Sequence, residues 1–245
     1  MTARCIIDCF PESAKHYRNK YAIIAVDVIR ATTTAATAVN LNRRVHIVQT
    51  TDQAFVLAEK LDKPILAGEL GGNVPYGFDM TNSPFLVAAL SAVKIGNFAS
   101  PEKDIILLSS SGTQLILEAG GSEAIYLACF RNFSAVAEYA ATRHEKIALI
   151  GAGTRGAFRR EDQMGCAWTA GQLVQKGFEP ENKTTEDIIR KWTDTAPAEI
   201  RNGRSADYLR RTGQIYDLEF IISHIDDLKT VPVVRNSMTE NAEFM

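Results

Sequence analysis

Apolar runs of strand length alternate with helix-period segments over the first two-thirds of the chain. The strand-type runs occupy residues 5–10, 22–29, 45–49, 64–68, 105–108, 124–130 and 147–150. Segments with apolar residues at helical spacing lie between them, at about 32–41, 52–61, 84–93, 113–119 and 132–143. Because several strand runs are apolar without interruption, we expect a mostly parallel or mixed sheet with helices on both faces, a three-layer α/β/α arrangement.

The pattern changes after residue 150. Four helical segments at about 161–176, 184–193, 204–212 and 215–224 follow with little strand between them, and a short apolar strand is expected at 231–234. No low-complexity linker or internal repeat separates the two parts. We therefore predict an α/β fold in which residues 1–245 form a single domain with a helix-rich C-terminal third.

The composition is that of an ordinary globular protein, with 46% apolar and 23% charged residues. The 27 basic and 29 acidic side chains leave a net charge of −2, so no field of one sign predicts a nucleic-acid or membrane partner. The apolar runs are too short to span a bilayer, and the N-terminal segment does not resemble a secretory signal. The four cysteines form no C-x-x-C pair, which favours structural cysteines in a reduced, cytoplasmic protein.

An acid, an arginine and three hydroxyls stand together at the end of the second strand run. Asp27 interrupts the apolar sequence, and Arg30, Thr32, Thr33 and Thr34 follow before the next helix. A carboxylate can bind a cation, while an arginine and the free N–H groups of a helix start can bind a phosphate. The alternative interpretation is a surface acid followed by an N-capping threonine. An acid within an apolar run needs a partner or a metal, which favours the functional interpretation.

Other polar residues follow the later strands, where ligands bind in open α/β sheets. Glu69 begins a long loop that also contains Asp79, Asn82 and Ser83, and Pro84 makes Ser83 a natural N-cap as well. The remaining candidates are small or polar residues at helix starts and acids and arginines after the seventh strand run: Gly112, Thr113, Asn132, Arg155, Glu161 and Asp162. Each of these has a plain structural alternative as a turn residue or a helix cap.

Residues 151–156 match the G-x-G-x-x-G pattern of dinucleotide-binding folds. In that fold the helix begins inside the glycines, and a strand with a terminal acid follows about 20 residues later. Here residues 158–162 intervene before the helical segment, and residues 171–174 are helical in pattern. We therefore disfavour a nicotinamide or flavin site.

Taken together and in this order, the segments resemble the 2-phosphosulfolactate phosphatase family. The matching segments, spread over nearly the whole chain, are 26–34, 67–69, 77–79, 82–84, 112–113, Asn132, Gly153, 161–162, Gly213, Asp217 and 231–232. The resemblance implies an α/β/α fold and Mg²⁺-dependent hydrolysis of a phosphate ester on a small sulfonated acid, as in coenzyme M biosynthesis.

Three positions depart from the family pattern. Leu70 stands where the family usually has arginine, Ser111 where it has asparagine, and Thr81 where it commonly has glycine. Since the missing arginine removes an expected anion contact, we predict weak activity on 2-phosphosulfolactate and better activity on a substrate with fewer charges.

The complete hypothesis is a Mg²⁺-dependent phosphatase for a small phosphorylated acid. Its catalytic residues are predicted to be Asp27, Arg30 and Glu161, and its metal ligands to come from Asp27, Glu69, Asp79, Glu161 and Asp162. Substrate contacts are predicted for Thr32, Thr33, Thr34, Asn82, Ser83, Gly112, Thr113, Asn132 and Arg155. A non-catalytic protein that binds an anionic metabolite is the main alternative, and a dinucleotide-dependent enzyme is a weaker one. A homodimer remains open, and neither nucleic acid nor membrane is expected as a partner.

Overall fold

Ten strands form one mixed sheet in the computed structural model, which describes residues 2–153 and 156–242. In chain order the strands are β1 (Arg4–Asp8), β2 (Ala22–Val26), β3 (Val45–Val48), β4 (Ile65–Gly68), β5 (Ile105–Leu108), β6 (Ile125–Ala128), β7 (Lys146–Gly151), β8 (Glu179–Pro180), β9 (Pro232–Arg235) and β10 (Met238–Asn241). Their order across the sheet is β4-β5-β3-β10-β9-β6-β2-β7-β1-β8.

Most neighbouring strands are parallel, and the exceptions all involve the C-terminal hairpin of β9 and β10. This hairpin lies between β3 and β6 and pairs antiparallel with both. It joins a parallel block of β4, β5 and β3 to a second parallel block of β6, β2, β7, β1 and β8. The predicted mixed, mostly parallel sheet of an α/β protein is confirmed.

Helices lie in most connections between the parallel strands, because a parallel pair needs a crossover connection of a dozen or more residues. They are α1 (Ala14–Tyr17), α2 (Ala31–Asn40), α3 (Thr51–Ala58), α4 (Pro84–Val93), α5 (Gly112–Glu118), α6 (Phe133–Ala141), α7 (Arg160–Gln175), α8 (Lys183–Trp192), α9 (Arg204–Arg211) and α10 (Ile215–Ser223). Short 3₁₀ helices occupy Pro11–Ser13, Gly96–Ala99 and Pro197–Asn202. The four helices α7 to α10 make up most of the C-terminal third, as the sequence predicts.

The core lies on both faces of the sheet. In the fully buried strand β2, Ile24 and Val26 face one apolar cluster, while Ile23 and Ala25 face another. Helices α6 to α10 cover the first cluster, and α1, α2, α4 and α5 cover the second. The second cluster also contains Leu107 of β5, so it joins the two parallel blocks. Burial on both sides explains why β2 reads as a continuous apolar run.

No helix in residues 2–153 or 156–242 is both long enough and apolar enough to cross a bilayer.

Candidate active site

A cleft of about 710 Å³ lies where the loops after β1, β2, β4, β5 and β7 meet the helix α9. One part of its wall carries the carboxylates of Asp27, Glu69 and Asp162. Another part carries basic side chains from Arg30, Arg159, Arg204 and Arg211. The meeting of several strand-end loops in one cleft agrees with the position of ligand sites in other α/β sheets.

Asp27 lies at the junction of β2, α2 and α5. Its side chain is buried and accepts a backbone hydrogen bond from Ala31 at the start of α2. Its main-chain carbonyl accepts from the backbone N–H of Thr32 at 3.0 Å. A Cβ atom on Gly112, the first residue of α5, would lie only 2.2 Å from the Asp27 Oδ2 atom. Glycine is therefore required at this position because helix α5 approaches the carboxylate closely.

Two further acids come from the first turn of α7. Asp162 Oδ1 accepts from the backbone N–H of Val28 at 2.8 Å, and Oδ2 accepts from that of Gly153 at 3.3 Å. Glu161 is almost fully buried behind the cleft wall, where Ser205 hydrogen-bonds its side chain. Its Oε1 atom has no hydrogen-bond partner among the described residues. An unpartnered buried carboxylate oxygen is costly, so a cation is a physically suitable neighbour for it.

The acids perturb one another. Burial, followed by the nearby Glu69 and Glu161 carboxylates, raises the pKa of Asp27 to about 7. Burial and the charges of Asp27 and Glu161 raise the pKa of Asp162 well above its usual range. Burial also raises the pKa of Glu161, against a lowering contribution from the Ser205 hydrogen bond. Like charges held together out of water are a recurring property of active sites and cation sites.

Glu69 connects the loop after β4 to the loop after β5. Its Oε1 atom accepts from the backbone N–H of Ser110 at 2.7 Å and from the hydroxyl of Ser109 at 3.1 Å. Its Oε2 atom accepts from the backbone N–H of Gly72 at 2.8 Å and from the Ser110 hydroxyl at 3.2 Å. These four donors hold the carboxylate in one orientation beside Asp27.

Arg30 is buried, and residues from the C-terminal third of the chain hold its guanidinium group by hydrogen bonds. Its Nη1 atom donates to Asp217 and to Gln214, both at 2.5 Å, and its Nη2 atom donates to the Thr81 hydroxyl at 3.1 Å. Asp217 Oδ1 also accepts from the Ser83 hydroxyl at 2.5 Å. The Nε–H and one Nη2–H of Arg30 have no partner among the described residues. Those two donors form a planar fork that suits a phosphoryl group.

The threonines after Arg30 do not present their side chains to the cleft. Thr32 Oγ1 donates to main-chain carbonyls at both Asp27 and Ala128, and Thr33 Oγ1 donates to the carbonyl of Val28. All three threonines are fully buried, and the backbone N–H groups of Thr32 and Thr34 are already used within the turn. The predicted phosphate contacts at these threonines are therefore corrected. The Thr32 and Thr33 hydroxyls stabilise the start of α2 instead, and the buried Thr34 hydroxyl has no hydrogen-bond partner among the described residues.

Three other predicted contact residues also have local structural partners. Ser83 caps α4 by accepting from the backbone N–H of Leu86 at 3.0 Å, as the alternative interpretation proposes. Thr113 Oγ1 donates to the carbonyl of Ser109 at 2.5 Å. Asn132 is fully buried and its Oδ1 atom accepts from the backbone N–H of Cys129 at 2.9 Å. None of these three side chains lines the cleft.

Asp79 stands apart from the acids that surround Asp27. It is exposed, and its Oδ2 atom accepts from the backbone N–H of Leu66 at 2.8 Å along the outer edge of β4. Asp79 does not line the cleft, so its predicted role as a metal ligand is corrected: its carboxylate stabilises the loop beside β4. Leu70 is likewise exposed and absent from the cleft wall, although Glu69 and Gly71 on either side belong to it.

Of the remaining predicted residues, Asn82 lines the cleft and Arg155 lies outside the described part of the chain. Asn82 is buried, and its Oδ1 atom has no hydrogen-bond partner among the described residues. The predicted site residues do not include the cleft arginines Arg159, Arg204 and Arg211, and Asp217 enters the sequence interpretation only as a match to the family pattern. Surface-type arginines carry no local signal of a site, and the contact between Arg30 and Asp217 spans 187 positions.

The acids do not by themselves build a complete metal cage. Within the described residues, no three Asp, Glu, His or Cys side chains have the geometry of a metal site. Mg²⁺ is commonly held by one or two carboxylates, with waters and substrate phosphate oxygens completing its shell. The donor set of hard carboxylate oxygens, the unpartnered Glu161 Oε1 atom and the raised carboxyl pKa values fit that mode of binding.

Comparison with known proteins identifies the family. Residues 9–237 match the family model described as 2-phosphosulpholactate phosphatase. The chain belongs to this family. It is 32% identical to a probable 2-phosphosulfolactate phosphatase of Thermotoga petrophila over 222 residues, which covers 90% of this chain and 92% of the relative.

Two further relatives carry the same name. The protein of Prochlorococcus marinus is 30% identical over 224 residues, covering 86% of this chain and 88% of the relative. That of Caldanaerobacter subterraneus is 26% identical over 231 residues, covering 90% of each chain. The family resemblance predicted from the sequence is confirmed, and with it the enzyme class of phosphoric monoester hydrolases.

Proposed function

We propose that the protein is a Mg²⁺-dependent phosphatase that hydrolyses 2-phosphosulfolactate or a closely related phosphate monoester of a small acid. Family membership supports the phosphatase activity and the substrate class. The observation that carries the location is the convergence of Asp27, Glu69 and Asp162, from three separate segments, beside the buried Arg30 in one cleft. A protein that only bound an anion would not need these mutually repelling acids.

Arg30 binds the phosphoryl group of the substrate in this proposal. Its Nη1 atom is occupied by Asp217 and Gln214, so the guanidinium cannot rotate away from the cleft. The remaining Nε–H and Nη2–H donors would contact two phosphoryl oxygens side by side. Preorganised donors of this kind stabilise the charge that shifts within the phosphoryl group during transfer.

The carboxylates of Asp27 and Asp162, which line the cleft, are the residues that would hold the cation, and the buried Glu161 behind them would add negative charge. When bound, Mg²⁺ would offset the negative charge of the phosphoryl group and of the acids around it. The hydrogen bonds to Asp162 from Val28 and Gly153 fix its two oxygens, and Gly112 leaves room for the Asp27 carboxylate. Positioning and charge stabilisation account for most of the catalysis in phosphoryl transfer.

Hydrolysis breaks the bond between phosphorus and the ester oxygen and forms a new bond from a water oxygen to phosphorus. The proton lost by the water must reach the departing ester oxygen. We assign the transfer to the carboxylate of Asp27, which lines the cleft beside Arg30. The products are inorganic phosphate and the free hydroxy acid.

Phosphate release from 2-phosphosulfolactate, measured with excess chelator and then with added Mg²⁺, tests this function. We expect no release in chelator and full recovery with Mg²⁺. Ca²⁺, which accepts a larger and looser shell of oxygens, serves as the comparison cation. Undiminished turnover in chelator, with no metal detected in the protein by elemental analysis, would refute the metal dependence. Absence of turnover with every cation would refute the substrate assignment.

A further inference from the structure

The cleft has two electrostatically different sides. The acids Asp27, Glu69 and Asp162 line one side of the cleft. Arg159, just before α7, and Arg204, the first residue of α9, line the other side, which we call the helical wall. Since Arg30 is largely neutralised by Asp217, the arginines of the helical wall are a separate source of positive charge.

Arg159 and Arg204 differ from the arginines around them. Arg201 pairs with Glu219 at 2.5 Å, and Arg210 pairs with Asp207 at 2.9 Å. By contrast, neither Arg159 nor Arg204 makes a side-chain hydrogen bond or an ion pair within residues 2–153 and 156–242. Unpaired guanidinium groups on the wall of a cleft are available to a ligand, and their planar fork matches a carboxylate or a sulfonate.

Helix α9 holds Arg204 in a fixed place relative to the acids. Leu209 and Ala206 are fully buried in the core. Ser205, the next residue after Arg204, lies close enough to the buried Glu161 to lower the pKa of its carboxyl group. The Tyr208 hydroxyl donates to the carbonyl of Gly72, in the loop that carries Glu69. The helix therefore spans from the acid cluster to the loop on the opposite side of the cleft.

We propose that Arg204, assisted by Arg159, forms the subsite that binds the second anionic group of the substrate, its carboxylate or sulfonate. This inference rests on the proposed function, since it assumes that the phosphoryl group lies at Arg30 and the acids. The subsite takes the role that the sequence comparison gave to an arginine at position 70, because Leu70 does not line the cleft.

With the phosphoryl group bound at Arg30 and the acids, the rest of the substrate faces the wall that carries Arg159 and Arg204. The acids and Arg30 define one end of the cleft, and a volume of about 710 Å³ accommodates a small acid with room for water. A substrate with one phosphate and one further anion would match both sides. An uncharged substituent would leave the two guanidinium groups without a partner.

The test uses O-phospholactate, which carries a carboxylate, and its methyl ester, which does not. In wild type we expect kcat/KM to be about ten- to a hundredfold higher for the acid, the value of one charge-assisted hydrogen bond. Arg204→Met should reduce that ratio towards one, and Arg204→Lys, which keeps the charge without the fork, should retain part of it. Arg190→Met is the matched control, because Arg190 is exposed on α8 and pairs with Asp187 away from the cleft.

Equal kcat/KM for the two esters in wild type, or an unchanged ratio in Arg204→Met, would overturn the subsite while leaving the phosphatase assignment intact. The proposed function would fail only if wild type also released no phosphate from 2-phosphosulfolactate with Mg²⁺. If wild type hydrolysed neither phospholactate ester, binding would decide the subsite by itself. Calorimetric titration with the phosphonate analogue of phospholactate and with its methyl ester should give dissociation constants that differ at least about tenfold in wild type. Equal constants would overturn the subsite in that case.

Discussion

Replacing Gly112 by alanine should damage the site through steric contact alone. The backbone of Gly112 does not need a positive φ angle, so alanine can adopt its conformation. Its Cβ atom, however, would lie 2.2 Å from Asp27 Oδ2 and 2.4 Å from the Cβ atom of Ala31. Ordinary contacts begin at 3.4 Å, so α5 and the start of α2 would have to separate by about 1 Å.

The expected cost combines overpacking with displacement of a functional group. Forcing an extra carbon into a packed region typically destabilises a protein by about 1–3 kcal/mol, which for a chain of this length lowers Tm by roughly 2–4 °C per kcal/mol. A shift of about 1 Å at a catalytic carboxylate can reduce the rate by about 10²-fold. We therefore expect Gly112→Ala to lower both Tm and kcat/KM for phosphate release.

Gly171→Ala provides the matched control. Gly171 lies inside α7, and a Cβ atom there would meet nothing within 4 Å. The same substitution should stabilise the protein by about 0.5–1 kcal/mol through helix propensity and leave phosphate release unchanged. Thermal unfolding and initial rates measured on both variants would check the comparison. If Gly112→Ala retained the Tm and the rate of wild type, the close approach of α5 to Asp27 would be wrong.

Three further predictions concern single side chains. Leu70→Arg should not change the ratio of kcat/KM between charged and uncharged substrates, because position 70 lies outside the cleft wall. A gain in activity on 2-phosphosulfolactate would instead support the sequence-based expectation that an arginine at position 70 contacts the substrate. Arg30→Lys should reduce kcat/KM by roughly 10²-fold or more, since one ammonium cannot both bond Asp217 and present a fork to the phosphoryl group; near wild-type kinetics would place the phosphate elsewhere. Burial and neighbouring acids raise the pKa of Asp27 in the folded protein to about 7, above its value in the unfolded chain. The cation-free protein should therefore lose stability as pH rises from about 4 to 7, by up to roughly 1.4 kcal/mol per pKa unit. In chemical denaturation Asp27→Asn should flatten this dependence of stability on pH, and an unchanged dependence would contradict the raised pKa.

The architecture could be predicted because its signals are local. Each of the seven apolar strand runs in the first two-thirds of the sequence overlaps a strand, since strands buried on both faces leave few polar positions. The strand β10 was missed because its residues, Met238–Asn241, are mostly polar although they pair between β3 and β9. The two-residue strand β8 is too short to give any pattern.

The candidate site could be predicted only in part. The rule that ligands bind beyond the carboxyl ends of strands correctly brings Asp27, Glu69 and Asp162 into one cleft. The same rule selects Asp79 and Asn132, whose side chains hydrogen-bond nearby backbone groups instead. Nothing in a local sequence window distinguishes a carboxylate that caps its own loop from one that faces a ligand.

The residues that hold Arg30 could not be found locally at all. Asp217 and Gln214 come from the helical C-terminal third, 187 and 184 positions away in the chain. Only the folded arrangement brings them to the start of α2. Long-range contacts of this kind also explain why the arginines of α9 carry no sequence signal of a binding site.

The most direct test compares Asp27 and Asp79. The sequence predicts both as metal ligands, but only Asp27 lines the cleft. Phosphate release from 2-phosphosulfolactate at saturating Mg²⁺ should be measured for Asp27→Asn and Asp79→Asn, with thermal unfolding to verify that both variants are folded. Asp27→Asn should lose at least about 10²-fold in kcat, because it removes a buried carboxylate from the centre of the cleft. Asp79→Asn should stay within a few-fold of wild type, since its amide oxygen can still accept from Leu66. Normal turnover by folded Asp27→Asn, or loss of turnover by folded Asp79→Asn, would contradict the assignment of the active site to this cleft.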